Sequence, residues 1–210
     1  MTDALLDISD LSARSQLDGR LILRRVNLRL ARGETLGLVG ESGAGKSTIA
    51  KALLGLLPRT VQITAGRIVF GGRDLRTLSD RELNRIFGDE IALIPQDPLT
   101  SLNPGRRIER QLTDGLRLRR KLSWREARLR ALHLLDEVQI RDPERVMRAF
   151  PHELSGGMRQ RILIAAAFAL EPKLIIADAQ FAGESSYGCG VCYARSGCRC
   201  SDLQPRDAPL

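Results

Sequence analysis

The sequence predicts an α/β fold in which helices pack on a parallel sheet, and three observations carry that prediction. Thr35 to Leu57, TLGLVGESGAGKSTIAKALLGLL, runs from an apolar stretch through a glycine-rich loop into a helical pattern. Leu174 to Asp178, LIIAD, is a second short apolar run, and it ends in a carboxylate. Between the two, apolar runs alternate with segments of helical periodicity, the order that places helices against a parallel sheet.

The first stretch is the most informative. Leu36 to Val39 reads as a buried strand, Gly40-Glu41-Ser42-Gly43-Ala44-Gly45-Lys46-Ser47 fits G-x-x-x-x-G-K-S, and the helical pattern begins at Thr48. Strand, loop and helix in that order give the motif its meaning as a nucleotide phosphate site. The glycines allow positive φ and turn backbone N–H groups inward around a phosphate. The following helix presents its positive end to the same place. Lys46 is placed to reach the β- and γ-phosphates, and the Ser47 hydroxyl to ligate Mg²⁺.

The totals set bounds on the rest. A chain of 210 residues that is 43% hydrophobic can build one domain with a proper core. A net charge of +8 calls for an anionic partner: nucleotide, nucleic acid or an anionic membrane face. The sequence has no apolar run long enough to span a bilayer, and MTDALLDISDLS lacks the basic start of a secretory signal. The expected location is therefore the cytoplasm, or a membrane reached through a partner.

Taken in order, residues 4–8 and 21–30 read as edge strands of an antiparallel flap joined at Asp18-Gly19, and Arg32-Gly33-Glu34 turns the chain into the loop strand. Pro58 is expected to stop the first helix. Gly66 precedes the strand Arg67 to Phe70, which Gly71-Gly72 closes, and Ser79 to Glu82 is a capping box opening a short helix. Ile91 to Ile94 is a buried strand ended by Pro95. From about Asp97 to Phe150 the pattern is helical and basic. A second capping box, Ser123 to Glu126, precedes Ala127, Ala131, Leu134, Leu135 and Val138 on one face. Arg117, Arg119, Arg120, Lys121, Arg125, Arg128 and Arg130 crowd the polar side, which reads first as a solvated face and second as a membrane-side or nucleic-acid surface. Ser155 N-caps an apolar helix over Arg159 to Leu170. His133 and His152 read as structural.

With the loop, Leu154-Ser155-Gly156-Gly157-Met158 and LIIAD in hand, the chain resembles the ATP-binding subunits of ABC transporters. The runs IPQDPLTSLNP (94–104) and FPHELSGGMRQR (150–161) resemble the branch that takes up dipeptides, oligopeptides and nickel. The resemblance covers about residues 1–178, implying a nucleotide-binding domain there with a helical subdomain at about 97–158. It implies ATP and Mg²⁺ as cofactors. It also implies a second ATP-binding subunit, so that each ATP lies between one copy's Gly40–Thr48 and the other copy's Leu154–Met158. Gln96 and Asp178 would join Ser47 at the metal. Permease subunits would hold the protein at the cytoplasmic side of the membrane, and the transported solute would not touch this chain. A soluble ABC-type ATPase acting on nucleic acid is the competing reading. The single helical insertion without heptads and the QDPLTSLNP run favour the transporter, with no nucleic-acid partner.

The pattern fails after Asp178. The family's general-base glutamate is expected at the next position, which is Ala179, and alanine cannot accept a proton; no catalytic residue is therefore assigned. The family's switch histidine has no counterpart beyond His152, and Arg14-Ser15-Gln16-Leu17 stands where an aromatic residue would stack on adenine. Loss of a general base costs about 10²–10⁴-fold in rate, so a non-hydrolysing nucleotide binder is the alternative function. Residues 179–210 contain no Ile, Lys or Met but all four cysteines, Cys189, Cys192, Cys198 and Cys200. They read as an irregular tail, out of frame or from a truncated gene, with no pattern for further strands; a zinc or disulfide cluster is the lesser reading. The strand at Leu174 would then lack cover and the chain would be poorly soluble.

Overall fold

A computed structural model describes residues 4–41, 43–95, 97–179 and 189–193. Two compact units divide the chain. The first takes it up to Phe87 and again from Lys173 through the last described strand, and the second takes Gly88–Pro172.

The first unit contains an antiparallel sheet of β1 (Ala4–Ser15), β2 (Leu21–Ala31), β4 (Val61–Phe70) and β5 (Arg73–Asp74), in the order β2-β1-β4-β5. β1 is longer than the sequence pattern indicates and is interior, not an edge. Its Leu6 pairs with Leu30 on one side and Phe70 on the other, and all three are fully buried. Gly66 lies inside β4, where both ladders of β1 are interrupted near Asp10. At φ +95° a Cβ on Gly66 would stand 2.5 Å from Leu11 Cα. Gly71 and Gly72, with φ +54° and +79°, close the β4–β5 hairpin, as a two-residue turn of the primed type requires.

The second sheet of this unit holds β3 (Thr35–Leu38), β7 (Leu174–Ala179) and β8 (Cys189–Tyr193), with β8 between the other two and antiparallel to both. This corrects two expectations. The tail supplies a strand, and β3 and β7 run in the same direction only by way of that strand. Nine residues separate β7 from β8, fewer than the dozen or so that a parallel crossover needs, so the return is antiparallel. β3 is also less buried than expected: Val39 lies past its end and is 74% exposed.

α1 (Lys46–Leu53) starts two residues before the expected Thr48 and ends well before Pro58. Its end is set by Gly55 at φ +66°: Leu56 N–H donates to Lys51 O (2.8 Å) and Gly55 N–H to Ala52 O (3.3 Å). That pair is the Schellman arrangement, which satisfies the last carbonyls and turns the chain out of the helix. α1 packs against β2, β7 and β8. The cavity beneath it, between Ile8, Ile49, Leu53 and Ile176, measures only about 10 Å³.

α2 (Asp80–Asp89) leads to the second unit, which holds β6 (Ile91–Ile94), α3 (Pro98–Ser101), α4 (Ile108–Arg120), α5 (Trp124–Glu137), α6 (Pro143–Arg148) and α7 (Gly156–Phe168). The expected capping box at Ser123 is complete, while at Ser79 only the Glu82 half forms, the Ser79 hydroxyl donating to the Glu82 carboxylate instead of accepting from its N–H. Ser79 N–H donates to Glu82 Oε2 (2.9 Å), and Ser123 N–H to Glu126 Oε2 (2.8 Å) while Ser123 Oγ accepts from Glu126 N–H (3.3 Å). The expected face of α5 is the core: Ala127, Ala131, Leu134, Leu135 and Val138 are at most 1% exposed.

Most of the basic residues opposite that face serve the fold itself. Arg128 reaches Glu109 (2.9 Å) on α4 and Glu144 on α6, joining three helices through one guanidinium. Arg110 and Arg117 lie over the Trp124 ring at 4.7 and 5.6 Å. Arg120 donates to Leu170 O and Arg130 pairs with Glu171 (2.9 Å). Arg125 and Lys121 stand in solvent.

Candidate nucleotide-binding site

β3 delivers the chain to Gly40, and the loop to Ser47 is shaped by its glycines. Gly43 and Gly45 have φ +83° and +90°, a region that side chains with a Cβ adopt only at a cost. Ala44 N–H closes a turn on Glu41 O at 3.1 Å, and Ile49 N–H opens the α1 ladder on Gly45 O at 2.9 Å. Gly45 is buried, and a Cβ there would come within 2.9 Å of Leu23 Cδ2, so β2 backs the loop and Leu23 would have to shift for a larger residue.

The electrostatics of the loop favour an anion. α1 begins with no side-chain cap and no acidic residue in its first turn, so its positive end is not neutralised by the protein. Lys46 Nζ is folded inward and donates to Gly40 O (2.6 Å) and Glu41 O (2.7 Å). A cation bound only to neutral carbonyls keeps its full charge for a ligand. These donors fit a phosphate chain. Thr48 follows in the first turn of α1, and Ser42 lies outside the described residues.

The metal-ligand set Ser47, Gln96 and Asp178 is described in part. Ser47 is the second residue of α1. Gln96 lies outside the described residues, and Asp178 is described as backbone on β7. Its place along the sheet is fixed by register: Leu38, Gly190 and Asp178 form one cross-strand row. Strands lie about 4.8 Å apart, so residue 178 stands about 10 Å across the sheet from residue 38. Ala179 follows it, paired to Cys189.

Leu154–Met158 belongs to the second unit. Leu154 is buried, while Ser155, Gly156 and Gly157 stand exposed at the start of α7, where Ser155 Oγ accepts from Met158 N–H (3.4 Å). The two histidines make local contacts in the same unit. His133 Nδ1 lies 3.1 Å from Glu137 Oε1, one turn along α5, and the His152 ring stacks on Phe150 at 5.7 Å. Cys189 and Cys192 lie on β8, and Cys198 and Cys200 lie outside the described residues; among the described residues no group of three acidic, His or Cys side chains could hold a metal.

The ABC transporter family model matches residues 23–182. The chain belongs to the ABC transporter family. The ABC chain is 48% identical over 179 residues to a putative peptide import ATP-binding protein of Brucella abortus, covering 84% of this chain and 54% of the relative. It is 45% identical over 178 residues to the oligopeptide transport ATP-binding protein OppD of Escherichia coli (84% and 52%). With the peptidoglycan transport ATP-binding protein YejF of Agrobacterium fabrum the identity is 46% over 180 residues (84% and 33%). The ABC chain thus spans about half the length, or less, of these curated relatives. Among solved structures, an ATP-binding cassette captured as a dimer in a post-hydrolysis state with ADP and Pi superposes with TM-score 0.68 at 27% identity, covering 82% of this chain and 73% of that one. A cassette of Clostridium perfringens, part of an ABC transporter complex, gives 0.66 at 27% identity (84% and 65%). Residues 183–210 lie outside the family match.

Sequence reasoning missed β8 as a neighbour of the loop strand and Leu23 as the backing of Gly45. The first had a weak local signal in Gly190-Val191-Cys192-Tyr193, a short β-prone run behind a glycine. The second depends on where β2 packs and has no local signal.

Proposed function

We propose that the chain is the ATP-binding, energy-coupling subunit of a membrane importer for peptides, attached at the cytoplasmic side through permease subunits and paired with a second ATP-binding subunit. The observation that carries this reading is the inward-folded Lys46 in a positive-φ glycine loop at an uncapped helix start. The family match and the peptide-transport names of the relatives support it.

On this reading Gly40–Thr48 wraps the triphosphate with backbone N–H groups, and Lys46 leaves the carbonyls of Gly40 and Glu41 to meet the β- and γ-phosphates. Ser47, Gln96 and Asp178 would hold Mg²⁺, which when bound neutralises charge on the phosphates. The exposed Ser155-Gly156-Gly157 turn offers backbone donors to the ATP of the partner subunit. Among the described residues no helix is long and apolar enough to cross a membrane.

Ala179 favours a second reading for catalysis. It stands next to Asp178, where a methyl group can neither accept a proton nor orient water. Hydrolysis by this chain is then slowed about 10²–10⁴-fold, leaving a nucleotide binder. Titration of fluorescent ATP into the wild-type chain and Lys46→Ala tests the site, and phosphate release by Ala179→Glu tests the deficit. The expected results are binding lost in Lys46→Ala and release increased in Ala179→Glu. Unchanged ATP affinity in Lys46→Ala overturns the site, and brisk wild-type release overturns the deficit.

A further inference from the structure

β8 has no part in the reading above, yet it stands at the centre of the sheet that carries the loop. β3 and β7 form no ladder with each other. Each pairs with β8, over Thr35–Leu38 against Gly190–Tyr193 and over Ile175–Ala179 against Cys189–Tyr193. Gly190 faces Leu38 on one side and Asp178 on the other. Leu38 is two residues from Gly40, so this single row sets how far residue 178 stands from the start of the loop along the strand direction. A one-residue slip on either ladder would move residue 178 by about 3.3 Å and exchange the two faces of the slipped strand.

We propose that the tail strand β8 is a positioning element of the nucleotide site, holding the loop strand and the strand of Asp178 in register. The inference rests on the nucleotide-binding reading of Gly40–Ser47. A strand paired on both sides uses its N–H groups in ladders, so a proline within it breaks pairing. α1 packs on β8 as well as β7, so the same strand also supports the helix that carries Lys46 and Ser47.

The test has two arms on the full chain. In the wild type, hydrogen exchange is followed for peptides covering 35–38, 175–179 and 189–193. Joint protection of all three is expected. Free exchange at 189–193 beside protected 35–38 and 175–179 overturns the proposal, and this arm needs no variant to fold. In the second arm Val191→Pro is compared with wild type for fluorescent ATP with Mg²⁺ and with EDTA. The expected loss is about tenfold or more with Mg²⁺ and smaller with EDTA. Wild-type affinity in Val191→Pro overturns the positioning role. Failure of the wild type itself to bind, with Lys46→Ala no different, overturns the nucleotide reading instead.

Discussion

Replacing Gly66 by alanine should be among the most damaging single changes in the first unit, and its cost can be worked from the structure. The backbone has φ +95°, and the added Cβ would meet Leu11 Cα at 2.5 Å and the Asp10 carbonyl carbon and oxygen at 2.6 Å. All three are backbone atoms, so no rotamer change relieves the contact. The positive φ alone costs about 1–2 kcal/mol with a Cβ present. Forcing strands apart in a packed sheet adds about 1–3 kcal/mol. The sum, about 2–5 kcal/mol, is a large part of the 5–15 kcal/mol that holds a typical domain. Gly71 is the internal control: its φ is +54° and a Cβ there meets nothing within 4 Å. Gly71→Ala should show only the φ cost. Urea unfolding followed by far-UV circular dichroism, with hydrogen exchange of β1 and β4 peptides, measures both. At a slope of about 2 kcal/mol/M, Gly66→Ala should lower the midpoint by about 1–2.5 M. Equal shifts for the two variants would refute the steric argument.

Gly45→Ala meets Leu23 Cδ2, the movable end of a side chain, at 2.9 Å, so it should cost less stability than Gly66→Ala. It should still weaken ATP binding by about tenfold or more, because φ +90° shapes the loop; titration and melting of the same sample separate the two effects. Arg128→Lys should fail to restore the stability lost in Arg128→Ala, since an ammonium cannot serve Glu109 and Glu144 together as the guanidinium fork does; thermal melts of both variants check this. The pH dependence has a definite sign. The Ser79 hydroxyl and N–H hold the Glu82 carboxyl below its ordinary 4.5, and the Ser123 hydroxyl and N–H do the same for Glu126. The folded chain therefore binds fewer protons than the unfolded chain near and below 4.5, and these contributions are present above it and fade as pH falls. Glu82→Gln with Glu126→Gln should lower the melting point at neutral pH and have little effect at about pH 3; an equal loss at both would contradict the capping role.

How much was legible in the sequence follows from how local each signal is. The glycine loop, the Ser155 cap and the Ser123 capping box could be read directly, because a turn or cap is decided by three or four neighbouring residues. The face Ala127 to Val138 was legible for the same reason. The end of α1 was misplaced because Gly55 sits inside Leu53-Leu54-Gly55-Leu56-Leu57, where the apolar pattern continues past a residue that turns out to be left-handed. The length of β1 was missed because Asp10 interrupts its alternation with a bulge at φ +52°, and Gly66, which lies against that bulge, is far along the chain. Within the site, Lys46 opens α1 directly behind the glycine loop, with Nζ turned to the carbonyls of Gly40 and Glu41. The Asp178 row could not be foreseen, because it depends on a strand from a tail without helical or alternating pattern.

The interior position of β1 has a consequence for how the chain is made. β1 and β2 are adjacent in sequence and can pair as soon as both have left the ribosome, but the other edge of β1 waits for β4, whose first residue comes about thirty residues after the end of β2. The partners of Leu6 to Ile8 are residues 68–70, and at synthesis rates of about 5–20 residues per second the wait for them lasts about 2–8 s. Throughout it, the hydrogen-bonding edge of Leu6 to Ile8 is open to any passing strand. At the bulge near Asp10 the backbones of β1 and β4 approach so closely that a Cβ at the matching position of β4 would stand 2.5 Å from Leu11 Cα. Gly66 thus lets the chain's own β4 close on that edge, where a side chain would meet the β1 backbone.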